Sequence, residues 1–198
     1  MPQVAADYRI NSYFRDTRGV YVNLYIPSTL LWRQGGTQVG LTQKGEYPYD
    51  SQVQFEVKAE RAMEFAVNLR IPSWAEGASV AVNGKREAVS AGSFARLQRE
   101  WKNGDRIELE LPMTTRLEAV DVRHPDTVAL LVGPLVLFAI TDAQPAVTRA
   151  QLLAAKRTGA RSWQAETAGG AMKMLPWTEV GEEGYTTYLK VNQARAGV

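Results

Sequence analysis

Apolar and polar residues alternate with a period of two over much of the chain. From Val20 the sequence reads Val-Tyr-Val-Asn-Leu-Tyr-Ile, which sets Val20, Val22, Leu24 and Ile26 on one face and Tyr21, Asn23 and Tyr25 on the other. The same period returns at Val53, Phe55 and Val57, with Gln52, Gln54, Glu56 and Lys58 outward, then at Phe65, Val67, Leu69 and Ile71, and again at Ile107, Leu109 and Leu111. Each run predicts a half-buried strand. Asn83-Gly84 after Val80 and Val82, and Asn103-Gly104 after Trp101, supply the positive φ of a tight type I′ hairpin and predict antiparallel pairing. Short strands about a dozen residues apart, with Gly and Pro between them, predict an all-β fold: an antiparallel, jelly-roll-like β-sandwich.

The ends depart from this pattern. Val4, Ala5 and Tyr8 follow Pro2 at helical spacing and predict one short N-terminal helix over residues 2–13. Beyond Pro112 the runs Val128–Val132 and Leu135–Ile140 read as strands buried on both faces, broken by Gly133-Pro134. Arg149 to Lys156 has helical character, and the alternation of Tyr185, Thr187 and Leu189 suggests a closing strand. The expected organisation is therefore a helical segment at 1–14, a β-sandwich at 15–113, and a second, smaller β unit at 114–198 with the return of one strand to the first left open.

Composition narrows the function classes. The 198 residues are 45% apolar and 22% charged, which is ordinary globular usage, and the net charge of +2 offers no clustered basic face for nucleic acid. Cysteine is absent, which excludes disulfides, thiolate metal sites and cysteine nucleophiles within these residues. The longest apolar run, Val128 to Ile140, is interrupted by Gly133 and Pro134 and is shorter than the ~20 residues of a spanning helix, so no membrane partner is expected. The opening residues have neither a basic nor an apolar region of the signal-peptide kind. A soluble protein of the cytoplasm or periplasm is expected.

Candidate chemistry is sparse. His124, the one histidine, stands in Asp121-Val-Arg-His-Pro125 and reads as a solvated loop residue without an evident partner. Glu46 with Asp50, or Glu179 with Glu182 and Glu183, could be proposed as the carboxylate pair of a glycosidase, but their spacing is not diagnostic. Gly35-Gly36 and Gly169-Gly170 lack the following Lys-Ser or Lys-Thr of a phosphate loop and read as turns. The aromatics carry more weight, because an exposed Trp or Tyr can stack on the apolar C–H face of a sugar ring while its polar tip stays wet. Trp32, Tyr47, Tyr49, Trp74, Trp101, Trp163 and Trp177 all fall at strand ends or in loops by this reading, and they are the candidate carbohydrate-binding residues. Packing inside the sandwich is the competing role for each.

One ordered set of strings goes further: Gly19-Val-Tyr-Val-Asn-Leu-Tyr-Ile-Pro-Ser28, Tyr47-Pro-Tyr-Asp50, Leu69-Arg-Ile-Pro-Ser-Trp-Ala75, Val82-Asn-Gly84, Trp101 with Gly104-Asp105, Leu111-Pro-Met113 and Gly133-Pro-Leu-Val136. Together they resemble glycoside hydrolase family 127, the β-L-arabinofuranosidases, with a weaker echo at Leu175-Pro-Trp177 and Tyr185 to Tyr188. The resemblance implies an (α/α)₆ catalytic barrel followed by β-sandwich domains, with a zinc-bound cysteine nucleophile and catalytic glutamates in the barrel. None of those residues maps onto this sequence, so the resemblance implies a C-terminal region without the barrel, residues 1–14 being the remnant of the barrel's last helix. No catalytic residue and no metal ligand is expected here, zinc belonging to the absent barrel. The implied role is a non-catalytic accessory one, with that barrel, a second copy of the chain, or a glycan as partner. An accessory module of this kind predicts an exposed apolar patch.

Overall fold

The computed structural model describes residues 10–192, and the chain divides into two compact units, the first ending at Met113 and the second beginning at Thr114. The strands of the first unit are β1 (Tyr13–Arg15), β2 (Gly19–Val22), β3 (Ser28–Gln34), β4 (Thr37–Lys44), β5 (Gln52–Ala59), β6 (Met63–Ile71), β7 (Ser79–Val82), β8 (Lys85–Ala88), β9 (Ser93–Trp101) and β10 (Arg106–Glu110). They form a four-stranded sheet in the order β1-β2-β6-β9 and a six-stranded sheet in the order β3-β4-β5-β10-β7-β8. The inner faces of both sheets contribute to one core, as the predicted sandwich requires. Its register follows the alternation in the sequence: Phe55 lies opposite Ile107 and Val53 opposite Leu109, which in turn faces Val80. A slip of one residue would turn these side chains out to water.

Two local features place the sheets. β2 and β6 run parallel, an exception in a mostly antiparallel fold, and Gly19 sits opposite Ala66. A Cβ at Gly19 would lie 2.0 Å from the Ala66 carbonyl oxygen, so glycine is required there by close approach. The second feature is a corner built from two turns. Asn83-Gly84 closes the β7–β8 hairpin with both residues at positive φ, 50° and 83°, as its sequence predicts. Asn103-Gly104 does not make a hairpin: Gly104 alone has positive φ, 87°, and β9 and β10 belong to different sheets. That turn carries the chain across the sandwich and is held by Asp105, whose Oδ2 accepts from Lys102 N at 2.8 Å and whose Oδ1 accepts from Asn83 Nδ2 at 2.9 Å. Asn83 Oδ1 accepts from Arg106 N at 2.9 Å, so the two turns brace each other.

Other expectations are corrected. Tyr13 and Phe14, placed by the sequence in a helical segment, are strand residues paired with Val22 and Tyr21; Ile10 is helical, and residues 2–9 of the expected helix lie outside the described residues. The strand from Val20 stops at Val22, because Asn23 N and Leu24 N both turn to Ser12 O. The alternation then loses its phase, and Tyr25 is buried while Ile26 is exposed.

The second unit contains β11 (Thr115–Ala119), β12 (Thr127–Val132), β13 (Leu135–Ile140), β14 (Val147–Thr148), α1 (Arg149–Leu153), β15 (Lys156–Gly159), β16 (Ser162–Thr167), β17 (Gly170–Pro176), a 3₁₀ turn (Trp177–Glu179), β18 (Tyr185–Thr186) and β19 (Leu189–Asn192). The sheet order is β14-β19-β12-β13-β17-β16-β15, with β11 also on β12 and β18 also on β13. Gly133-Pro134 makes a two-residue hairpin between β12 and β13, Gly133 supplying the positive φ of 53°. β12 is buried on both faces as expected; β13 is not, since Leu137 and Ala139 are buried while Val136, Phe138 and Ile140 stay half-buried. The closing strand is split, Tyr185 pairing with β13 and Leu189 with β12. The expected helix at 149–156 ends at Leu153; its start is a capping box in which Thr148 Oγ1 accepts from Gln151 N and Gln151 Oε1 from Thr148 N. His124 does have a partner: Nδ1 lies 2.8 Å from Asp121 Oδ1, and Asp121 also accepts from the backbone N–H of Arg123 and His124. The side chain remains solvated, so the pair shapes a turn.

Two predictions follow from the first unit. Gly19→Ala forces β2 away from β6 and should destabilise by about 3 kcal/mol, a fall in Tm of roughly 10 °C or more by calorimetry. An unchanged transition would show that the parallel pair tolerates a methyl group. The second concerns Asp105. Burial pushes its carboxyl up, but the donors Lys102 N and Asn83 Nδ2, with the charges of Arg99 and Lys102, outweigh burial and hold it below its ordinary 3.8. A group whose pKa falls on folding stabilises above its unfolded value and loses that contribution as pH drops through the folded one. Asp105→Asn should therefore lower Tm at about pH 6 and converge on the wild type near pH 2. A constant offset at both pH values would refute the charge-dependent part of the corner.

Candidate functional site

The two units hold the seven candidate aromatics in different settings. Trp32 lies in the middle of β3 and is buried, its ring edge-on to Phe65 at 5.5 Å. Trp101, at the end of β9, is fully buried; its Nε1 donates to Phe65 O at 3.0 Å and its ring lies tilted against Phe65 at 6.0 Å. Trp74 and Tyr47 pack on the same core from turns, Tyr47 edge-on to Tyr25 at 5.6 Å. Burial pushes the Tyr25 and Tyr47 phenols above their ordinary range, the nearby Arg70 opposing it, so both stay neutral donors. Tyr49 is half-buried in the turn closed by its N–H on Glu46 O, after a cis Tyr47-Pro48 peptide. In the second unit Trp163 is buried on β16 beneath the Arg157 guanidinium. Burial of Trp32, Trp101 and Trp163 removes their ring faces from any ligand. The large side chains were expected at strand ends; Trp32 is inside a strand because the sandwich core needs its volume at that point.

Trp177 differs. It opens the 3₁₀ turn after β17 and is 60% exposed. Phe138 lies 5.4 Å from its ring and Tyr185 5.6 Å, and those two rings are 5.6 Å from each other. β13, β18 and the turn after β17 thus bring together a triangle of aromatic rings of which the sequence reading named one corner. Its signal was present in the outward phase of Phe138 against buried Leu137 and Ala139. The first unit has a second aromatic surface that sequence reasoning missed altogether. On the outer face of the four-stranded sheet, Phe14 on β1 lies directly opposite Tyr21 on β2, and Tyr21 meets Phe94 on β9 edge-on at 5.5 Å. Phe14 and Phe94 are 47% and 45% exposed. Ala95 and Leu97 point inward on β9, so the alternation itself sets Phe94 outward.

The carboxylates are arranged differently from a catalytic pair. Asp16, Asp105, Asp121 and Glu183 are all held below their ordinary range. The main causes are the Arg18 N–H at Asp16, His124 at Asp121, and backbone N–H groups of Glu183 and Gly181 at Glu183. They are turn-binding groups, whereas a glycosidase acid needs the opposite shift. Glu179 pairs with Arg161 at 3.0 Å. A concavity of about 260 Å³ on the outer face of the six-stranded sheet is lined by Lys44, Gln54, Glu56, Arg106 and Glu108, with Lys44 and Glu56 ion-paired at 3.4 Å. The residues present do not fit a zinc site: cysteine is absent, histidine occurs once, and among the described residues no three His, Asp or Glu cluster as ligands. Among the described residues, no helix is long and apolar enough to cross a membrane.

Comparison with known proteins places this geometry. Residues 19–113 match the family described as the middle domain of GH127 β-L-arabinofuranosidase. No curated protein matches the chain. Among solved structures, the chain is similar to Ara127N-Se, a GH127 β-L-arabinofuranosidase from Geobacillus stearothermophilus T6, with TM-score 0.77 and 22% identity, covering 96% of this chain and 37% of that one. A glycoside hydrolase matches with TM-score 0.75 and 21% identity over 92% of this chain and 37% of its own. BT3674, a GH127 β-arabinofuranosidase, matches with TM-score 0.72 and 20% identity over 91% and 36%. The chain thus spans little more than a third of the length of these structures. Residues 19–113 match the GH127 middle domain, and the chain shares the fold of these structures.

Proposed function

We propose that this chain is a non-catalytic accessory region of a glycoside hydrolase acting on L-arabinofuranosides or related sugars, and that it supports the catalytic barrel through the outer face of its four-stranded sheet. The observation that carries this reading is the strip Phe14, Tyr21 and Phe94 on a sheet face that otherwise presents polar side chains such as Arg96 and Gln98. Three adjoining aromatic rings at a solvent face are the composition of the centre of a protein interface. The partner is a barrel of the kind the family implies, and support comes from the matched structures, in which a region like this one accounts for 37% of the chain. Zinc and the nucleophile belong to that barrel. The carboxylates described above cap turns or pair with cations, which is the chemistry of a scaffold.

Hydrolysis is the first test. The purified chain should not turn over aryl β-L-arabinofuranosides, with or without added zinc; activity that follows the protein through gel filtration and vanishes with one of its own carboxylates would overturn the accessory role. Docking is the second. A GH127 barrel supplied as a separate polypeptide should co-elute with this chain, and Phe14→Asp with Phe94→Asp should abolish co-elution while far-UV circular dichroism is unchanged. Co-elution that survives the double variant would place the contact elsewhere.

A further inference from the structure

We infer that the triangle of Trp177, Phe138 and Tyr185 is a binding platform for a neutral saccharide, separate from the docking face and independent of it. Trp177 is the most exposed tryptophan of the chain, yet it is not a loose side chain: Phe138 and Tyr185 hold it at 5.4 and 5.6 Å, with interplanar angles of 50° and 74°. Contacts with two neighbouring rings fix the direction of the indole before a ligand arrives, which lowers the ordering cost of binding. An exposed, pre-oriented indole matches a ligand with a flat apolar face, and the C–H face of a sugar ring is such a face.

The surroundings select the ligand class. The two residues after Trp177 are Thr178 and Glu179, and Glu179 Oε1 accepts from Thr178 Oγ1 at 3.3 Å and from Arg161 Nη1 at 3.0 Å. This network sets a hydroxyl, a carboxylate and a guanidinium beside the platform, offering both donors and acceptors at no net charge. Hydroxyls at the rim of a sugar ring need that mixture. An anionic ligand would meet Glu179, and a cationic one would meet Arg161. Trp177 and Tyr185 are exposed and Phe138 is half-buried, and the residues that follow the indole in sequence, Thr178 and Glu179, are polar. Two exposed rings suffice to cover the apolar face of one sugar ring.

Affinity electrophoresis of the whole chain in native gels containing soluble arabinan, arabinoxylan or mixed-linkage β-glucan, against a gel without polysaccharide, tests the inference. Retardation by at least one polysaccharide is expected, and Trp177→Ala should weaken it by at least about tenfold in apparent affinity, while Tm and circular dichroism stay at wild-type values because the ring is exposed. Glu179→Gln, which keeps the acceptor oxygen and breaks the ion pair, should weaken binding less. Phe94→Ala, on the docking face, should leave retardation unchanged, so loss of the docking reading and loss of this one remain distinguishable. Equal mobility in all gels, or retardation untouched by Trp177→Ala, overturns the platform. So does concentration-dependent self-association that Trp177→Ala abolishes without any polysaccharide effect, which would make the patch a protein contact.

Discussion

Phe65 is the residue on which both sheets of the first unit close. It stands fully buried on β6, with Trp32 from the six-stranded sheet edge-on to one side and Trp101 from the neighbouring β9 against the other. Its own carbonyl takes the Trp101 Nε1 proton, so the indole can be buried without leaving a donor unpaired. Two packed sheets lie about 10 Å apart, and the gap must be filled from both sides by side chains of matching volume. Large aromatics at this point hold the spacing, and the rows Phe55–Ile107 and Val53–Leu109 fill the rest. The same requirement decides what the other tryptophans can do: those that fill the gap are unavailable to a ligand.

Period-two alternation is a direct record of which side of a sheet meets the core, so β5, β6 and β10 were legible to the residue. Legibility failed where the decisive partner is distant in sequence. Asn103-Gly104 has the composition of a hairpin, yet Asp105 is tied to Asn83, twenty-two residues away, and the turn becomes a crossing between sheets. Tyr25 was assigned outward by extrapolating the phase of β2 beyond Val22, and the chain left the ladder there to meet Ser12. His124 was read as unpartnered although Asp121 stands three residues before it, because the bond depends on the turn that Asp121 itself nucleates.

Aromatic residues were the least legible of all. A tryptophan count contains no information on burial: Trp101 ends a strand and Trp177 follows one, and one is sealed while the other is open. What separates them is the number of sheet layers around each. Trp101 ends a strand whose inner face points into a two-sheet core, whereas Trp177 sits beyond β17 on a face of β13 that leaves Phe138 half-buried. Phe14 and Phe94 were in principle readable as outward residues of their strands, but outward aromatics look like noise until Tyr21, opposite the one and in ring contact with the other, links them.

Two of the sheet edges are guarded by charge, and the exposed rings lie elsewhere, on the faces. The edge strand β8 reads Lys-Arg-Glu-Ala and the edge strand β15 reads Lys-Arg-Thr-Gly, every residue exposed. Of the other edge strands, β1 has three residues and β14 two, whereas β3 and β9 are longer, with seven and nine. Charged or very short edges oppose pairing with a second chain. Charge guards the edges β8 and β15, while aromatic rings gather on two faces: Tyr21 lies opposite Phe14 and meets Phe94, and Phe138, Trp177 and Tyr185 touch one another. Rings held together on a face present a fixed shape to a partner, and backbone pairing at an edge would not select among partners at all. The exposed aromatics are therefore the parts of this fold that sandwich stability does not explain.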